Sequence, residues 1–383
     1  MEQRNVMSKS SMRDSGIELL KIIAIGLIVI GHVIQTLRSK NEFVSYSDYI
    51  VECEYGTTNI KVLLLILMTH FGALGNWLFF TASAWFLLDS TRVSKKKMLE
   101  MLVDIWVISI VILGITVFIR GGGVSGKLIV FSLLPTTFAN NWYLTCYLLF
   151  YPIHPYLNRI IAAMTQKQLL KSASILAVLY IGFNFLREMF FFPSMLILWV
   201  VGYFIIAYIK FYCKNSYASV KVNISLLLGG ITGTVGLVLV TDLLGAKISA
   251  VSVNLFEWAS NYNPFLILIA FAAIGVARSV HFKSRVVNRI SKCSLLIYII
   301  HENILLRSYL RPYIWHCIFA QYGYAHVLLW VFAFAAVWFA LALVLSIVYE
   351  ESIQKITKRM SEVLLKWIGA VYQKYETVML KIS

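Results

Sequence analysis

Long apolar stretches recur along almost the whole chain, and they restrict the possible folds more than any other feature of the sequence. A helix needs about 20 predominantly apolar residues to cross a bilayer. The chain is 60% hydrophobic and 14% charged over 383 residues, whereas soluble domains carry about 25% charged residues. No long polar region interrupts the pattern. The sequence therefore predicts an all-α integral membrane protein.

The apolar stretches divide into about ten predicted transmembrane helices. Short loops separate them, and many of these loops contain lysine or arginine. Pro135 interrupts the fourth stretch, and the ninth is the most polar. The predicted spans cover about 17–37, 69–89, 98–119, 128–152, 172–189, 194–212, 222–244, 263–280, 291–309 and 325–349.

The distribution of basic residues orients these spans. A net charge of +16 would suggest nucleic-acid binding in a soluble protein. Here most of the 34 lysines and arginines fall in alternate loops, and cytoplasmic loops of membrane proteins carry an excess of these residues. With the N-terminus in the cytoplasm, loops rich in lysine and arginine alternate along the whole chain with loops poor in them, and Arg311 falls on the outer side. We predict both termini in the cytoplasm, the lipid bilayer as a partner and no nucleic acid.

The last part of the chain differs from the rest. Residues 1–350 hold the predicted spans, whereas residues 351–383 alternate basic and apolar side chains at helical spacing. That pattern is typical of an amphipathic helix lying on a membrane surface. We interpret residues 351–383 as a basic amphipathic cytoplasmic tail.

The first apolar stretch contains ELLKIIAIGLIVIGH (18–32), with ionisable residues at both ends. Lys21 and His32 are eleven residues apart, so they share one helix face and lie about 16 Å apart along its axis. Glu18 can pair with Lys21 from three positions away. Snorkelling to the interface accounts for Glu18 and Lys21. It accounts poorly for His32, because intramembrane ionisable groups face a cavity or a pathway by default.

The pair Lys21–x10–His32 resembles the basic–x10–His motif in the first helix of the membrane acyltransferase 3 family. Other stretches resemble motifs of that family in the same order, over roughly residues 15–350. NWLFFTASAWFLL resembles FF-x-x-SG through Phe79, Phe80 and Ser83, with Ala84 in place of the glycine; NNWYL resembles W-[FY]-L through Trp142, Tyr143 and Leu144; SKCSLLIYIIH resembles S-x-x-x-Y-x-x-H through Ser294, Tyr298 and His301.

These motifs also have purely structural explanations. A small-residue packing site explains the motif around Ser83, and an interfacial aromatic belt explains Trp142 and Tyr143. His301 is as readily a packing histidine as a functional one. The basic run RVSKKK, which ends at Lys97, lies where the family has arginines at R-x-x-R spacing, and lysines replace them here.

The resemblance implies a membrane O-acyltransferase. Such an enzyme moves an acyl group, typically acetyl, from cytoplasmic acyl-CoA to a hydroxyl of an exported polysaccharide or glycolipid. His32 would be the catalytic base, because a neutral imidazole can take the hydroxyl proton. Lys21, Glu18 and Lys97 would bind the acyl-CoA, which is a substrate rather than a permanently bound cofactor. We expect no metal, and we expect a multi-pass protein of a bacterial plasma membrane.

Two other functions remain open from the residues alone. One is a transporter or flippase of envelope glycan precursors, which would share the polytopic body but should show paired intramembrane charges or repeats. The other is a non-catalytic assembly partner with the same fold, which the replacements at Ala84 and in the basic run would allow.

Overall fold

A computed structural model of the chain describes residues 15–38, 60–138, 140–186, 194–245, 247–248, 260–323 and 326–382. These residues form helices joined by turns, with π-helical turns at Ala177–Gly182 and Leu306–Leu310. The α-helices are α1 Ser15–Arg38, α2 Ile60–Thr69, α3 Phe71–Leu87, α4 Lys95–Ile119, α5 Gly126–Leu133, α6 Trp142–Ala163, α7 Gln166–Leu176, α8 Phe183–Leu186, α9 Met195–Tyr212, α10 Lys214–Ala218, α11 Val220–Gly245, α12 Pro264–Ser279, α13 Arg285–Lys292, α14 Ser294–His301, α15 Arg311–Tyr322, α16 Val327–Ser352 and α17 Gln354–Ile382.

Several of these helices are long and apolar enough to cross a membrane. Within the described ranges there are 7 such segments, and α12 is a shorter apolar helix. This confirms the prediction of an all-helical, polytopic membrane protein. The segments are Ser15–Leu37, Leu63–Leu87, Lys95–Ile119, Gln166–Leu186, Met195–Tyr212, Val220–Leu244 and Val327–Ser352.

The fourth predicted span has different bounds in the structure. Helix α5 ends before the turn at Pro135, and α6 begins only at Trp142. It then continues past the predicted end at 152, with Pro152 and Pro155 inside the helix. Each proline removes one backbone hydrogen bond, but tertiary contacts hold the helix beyond them. The Asn158 amide donates to the carbonyls of Leu87 at 2.9 Å and Ser90 at 2.8 Å.

The ninth predicted span, 291–309, is not one continuous helix. Helix α14 ends at His301, and its C-cap residue Glu302 leaves helical geometry. The next residue, Asn303, accepts a hydrogen bond at its side-chain oxygen from the backbone N–H of Leu305 at 3.0 Å. Such a local side-chain bond competes with the helical ladder. Pro312 in the first turn of α15 has no backbone N–H to donate. The π-helical turn Leu306–Leu310 joins the two helices.

Helix α1 lies at the centre of the bundle. It contacts α3, α12, α13, α14, α15 and α16, and Ala24, Val29 and Val33 on it are fully buried. A Cβ atom at Gly31 would lie 2.6 Å from the backbone N of Gly72 in α3. Only glycine permits so close an approach of the two backbones. This contact buries α1 immediately before His32.

Helix α17 is attached to the bundle through the N-terminal half of α4. The hydroxyls of Tyr349 and Thr357 both donate to Asp104 Oδ1 at 2.8 Å. Nearer the surface, Lys96 Nζ lies 2.7 Å from Glu362 Oε1. The hydrogen bond and the charge of Lys96 lower the pKa of the Glu362 carboxyl below its usual value. These contacts fix the first two turns of α17, while the described side chains after Ser361 are almost all exposed.

Candidate active site

Four ionisable side chains meet where α14 ends: His32 from α1, His301 and Glu302 from the end of α14, and Arg311 from α15. Nδ1 of His32, on α1, lies 2.9 Å from Oε2 of Glu302 and 3.0 Å from Nε2 of His301. The two imidazole rings are stacked, with centroids 5.2 Å apart. Arg311 Nη2 donates to the same Glu302 oxygen at 3.0 Å. His301, Glu302 and Arg311 are almost fully buried, and His32 is partly accessible.

The hydrogen bonds determine which nitrogen of each neutral ring carries its proton. Nδ1 of His301 lies 2.8 Å from the carbonyl oxygen of Ile297, which can only accept, so Nε2 of His301 is the acceptor nitrogen. The neighbours of His32 Nδ1 are that nitrogen and a carboxylate oxygen, and both are acceptors. The proton of His32 is therefore on Nδ1, and its Nε2 has a lone pair available to take a proton.

Two guanidinium groups stabilise the ionised form of Glu302. Arg311 contacts Oε2, and Arg307, from the π-helical turn, donates to Oε1 at 2.9 Å. Charge-assisted hydrogen bonds of this kind are stronger than neutral ones. Nε and Nη1 of Arg311 are buried without a hydrogen-bond partner among the described residues. Unmade hydrogen bonds at buried groups are costly, so a bound ligand that accepts from them would be stabilised.

The same cluster has the residue types of a metal site. One ligand atom each from His32, His301 and Glu302 lies within 4.8 Å of the others, and two imidazoles with one carboxylate can bind Zn²⁺. Both Glu302 oxygens already accept from guanidinium groups, however. A dication here would be repelled by Arg307 and Arg311. The arrangement therefore favours proton transfer over metal binding.

A cavity of about 570 Å³ lies at the N-terminal end of α1, which we predict to face the cytoplasm. It is lined by the three residues that we predict to bind the donor, Glu18, Lys21 and Lys97, together with Ile17, Ser83, Phe86, Leu87, Met98, Met101, Tyr147 and Tyr151. Lys21 Nζ lies 3.3 Å from Glu18 Oε1, as the spacing predicts. Glu18 also accepts a hydrogen bond from the Ser291 hydroxyl. We call this cavity the inner vestibule.

A row of aromatic side chains connects the inner vestibule with the histidines. Tyr147 lines the vestibule, and Tyr143 lies one turn away on the same face of α6. The ring of Tyr143 is 5.9 Å from that of Tyr298, which is 5.8 Å from that of His301. The hydroxyls of Tyr143 and Tyr298 are buried without a partner among the described residues. They are available to donate to a bound substrate.

The other motif residues lie beside this row. The ring of Phe79 packs edge-on against Tyr143 at 6.0 Å, and the Ser83 hydroxyl donates to the Phe79 carbonyl at 3.0 Å. Phe80 is buried and stacks on Trp199 at 4.7 Å, so it packs in the core. The Trp142 ring packs edge-on against that of Tyr143 at 5.7 Å. The structure thus brings motifs far apart in sequence to one path.

Sequence reasoning missed two members of the cluster, Glu302 and Arg311, and also Arg307, which donates to Glu302. Glu302 lies inside the ninth predicted span, directly after His301, where a carboxylate is expensive in lipid and signals a functional site. The pattern of basic loops places Arg311 among the outer charges; in the structure it is 1% exposed and is paired with Glu302 within the bundle. The broken helix turns Arg311 back towards Glu302, and the side of the membrane on which it lies stays a prediction.

One comparison with known proteins gives a match. The family model described as an acyltransferase domain matches residues 14–349. No curated protein and no solved structure matches the chain.

Proposed function

The chain belongs to the acyltransferase 3 family, and on that premise we propose that it moves an acyl group, typically acetyl, from cytoplasmic acyl-CoA to a hydroxyl of an exported polysaccharide or glycolipid. The match extends over most of the chain, so the protein is a membrane-bound acyltransferase. We propose in addition that the donor is acyl-CoA, that the acceptor is an exported glycan or glycolipid, and that the protein lies in a bacterial plasma membrane.

The inner vestibule supports the choice of donor. Lys21 and Lys97 line it, and CoA carries phosphates that such cations attract. Its volume of about 570 Å³ is in the range of small-molecule sites, roughly 300–1,000 Å³. From Lys21 to His32 the distance along α1 is about 16 Å. An extended acyl-pantetheine arm has a similar length, so it would bring the thioester to His32.

The contact between Nδ1 of His32 and Oε2 of Glu302, at 2.9 Å, is the observation that carries the mechanism. Nε2 of the neutral ring would take the proton of the acceptor hydroxyl as its oxygen attacks the thioester carbon. The C–O bond forms, the C–S bond breaks, and the proton passes from the imidazolium to the CoA thiolate. Glu302 would stabilise the imidazolium between these two steps, as the carboxylate does in a Ser–His–Asp triad.

The oxyanion of the tetrahedral intermediate needs hydrogen-bond donors. The unpartnered hydroxyls of Tyr143 and Tyr298 lie along the path between the inner vestibule and His301. The remaining N–H groups of Arg311 are buried beside Glu302. We assign the oxyanion to donors from this set, because they are the buried groups that gain a partner when the intermediate forms.

Replacement of His32 tests the proposal. His32→Ala should lower transfer of labelled acetyl groups from acetyl-CoA by about 10²–10⁴-fold, the usual contribution of a general base. His32→Gln should not restore it, because an amide is no base. The melting temperature of each variant would be measured beside the rate. Near-normal transfer by a folded His32→Ala protein would contradict the mechanism.

A further inference from the structure

An apolar groove of about 500 Å³ runs along the side of the helix bundle. Its walls come from α4, the π-helical turn Leu306–Leu310, α15 and α16. Wall residues are accessible, with Ile115 54%, Ile119 74% and Leu345 43% exposed. Residues of its floor are buried, with Ile300 6% and Leu305 1% exposed. Exposed apolar residues on membrane-spanning helices face lipid chains, so the groove opens towards the bilayer.

The floor of the groove is the same segment that carries the proton-accepting cluster. Ile300 directly precedes His301, and Leu305 follows Glu302 by three positions. On α4, the groove extends from Ile112 to Arg120, which is about 12 Å at 1.5 Å per residue. A chain in the groove therefore lies directly against the backbone of the candidate active site.

A cation stands at the end of the groove where α4 terminates. The guanidinium of Arg120 lies 4.0 Å from the centre of the Tyr309 ring, which also lines the groove. Its Nε donates to the Gly123 carbonyl at 3.2 Å. These contacts orient the guanidinium, whose fork of donors suits phosphate. An apolar groove with a cation at one end matches an amphiphile with a long chain and an anionic head.

We propose that this groove binds the lipid anchor of the acceptor, a glycan attached through phosphate to a long isoprenoid or similar aliphatic chain. The inference rests on the proposed function, and it names the acceptor as lipid-linked rather than as free polysaccharide. The phosphate pairs with Arg120 and the chain lies on the floor at Ile300 and Leu305. An acceptor held in this way stays beside His301 and Glu302 while its sugar enters the site.

The test uses the full-length protein in phosphatidylcholine nanodiscs and a photoreactive polyprenyl monophosphate as the probe. Ile115→Trp fills the groove and Arg120→Gln removes its cation. Each should reduce cross-linking by about tenfold, which corresponds to about 1.4 kcal/mol. Val111→Trp and Lys127→Gln are matched controls, because Val111 faces lipid on α4 outside the groove and Lys127 is a basic residue outside it. Both should label like the wild type.

Competition distinguishes the possible occupants. Unlabelled polyprenyl phosphate should displace the probe, and phosphatidylglycerol at the same concentration should not. Equal displacement by phosphatidylglycerol would make the groove an ordinary lipid contact, and displacement only by long-chain acyl-CoA would assign it to the donor. Labelling that is unchanged in Ile115→Trp and Arg120→Gln would also overturn the proposal.

The donor side provides an independent measurement. CoA affinity at the inner vestibule should be unchanged in Ile115→Trp and Arg120→Gln, which also shows that both variants are folded. Failure of the proposed function would appear differently, as a wild-type protein that binds no CoA or as transfer that does not need His32.

Discussion

Nδ1 of His32 has two acceptors within 3.0 Å, the Glu302 carboxylate and Nε2 of His301. The carboxylate is the stronger partner because it is charged. Glu302 therefore determines the tautomer of His32 and stabilises its protonated form, while His301 acts as a second acceptor. Neither residue needs to touch the substrate to influence the rate.

Replacement of Glu302 tests this positioning role. Glu302→Gln should lower kcat by roughly 10²–10⁴-fold, by analogy with amide replacement in a carboxylate–histidine pair. KM for acetyl-CoA should hardly change, because the inner vestibule is about 16 Å away along α1. His301→Ala should cost less turnover, because the carboxylate still holds the Nδ1 proton. A rate loss in His301→Ala that exceeds the loss in Glu302→Gln would contradict this order.

Lys21 is the residue-scale test of donor binding. It lines the inner vestibule together with Lys97, and its ammonium lies near the Phe86 ring at 6.0 Å. Lys21→Ala should weaken CoA binding by removing one cation from the vestibule, and Lys21→Arg should be milder because the charge remains. Isothermal titration of the purified protein with CoA measures both. If Lys21→Ala and the wild type bind CoA with equal affinity, Lys21 is only an interfacial anchor.

At the scale of single elements, α17 carries an exposed apolar stripe. Its members recur every three or four residues, and basic side chains occupy the opposite face. The stripe consists of Ile356, Met360, Val363, Leu364, Trp367, Ile368, Val371, Tyr372 and Tyr375. A helix of this kind lies in the plane of a membrane interface. We propose that α17 lies on the inner leaflet and is the cytoplasmic tail that the sequence predicts.

Environment-sensitive dyes test the position of α17. A dye on Val371→Cys should shift to the blue in nanodiscs, whereas a dye on Lys366→Cys, on the basic face, should not. Anionic lipid should enlarge the shift, and added salt should reduce that gain through screening. Protein without the added cysteine supplies the background. Equal spectra at positions 371 and 366 would contradict an interfacial helix.

At the scale of the whole molecule, we propose ten crossings. Seven segments and the shorter helix α12 account for eight of them. We assign the other two to α6 and to the broken pair α14–α15. Helix α6 has 22 residues, and the segment Ser294–Tyr322 is long enough to cross despite its break. With ten crossings, the loops rich in basic residues all lie on one side of the membrane. Helix α17 then lies on the same side as the start of α1.

Cysteine accessibility in intact cells tests the topology. Cysteines that replace Lys97 and Arg285 should be protected from a membrane-impermeant reagent, and a cysteine that replaces Lys247 should react. Permeabilised cells should label all three. The positive-inside bias gives this expectation. Labelling from outside at position 285 would remove one crossing between α4 and α13.

The sequence by itself determined the class of fold, the helices of the bundle and the first member of the site. Apolar length is a local property, so it identifies spans without any contact information. The spacing of Lys21 and His32 on one helix is equally local. The bounds of α6 were not readable in this way, because the tertiary contacts of Asn158 hold the helix beyond its prolines. The break after His301 involves a local bond of Asn303, but the apolar length of the segment predicts one continuous helix there.

Only the tertiary structure decided the composition of the site. His32 and His301 are 269 positions apart, and no local pattern relates them. Glu302 and Arg311 reach the same point because α14 stops and the chain turns, which pairs two buried charges that would each be costly alone. The sequence placed an ionisable histidine in a membrane-spanning helix, and the packing of α1 against the broken helix brought the Glu302 carboxylate to its Nδ1.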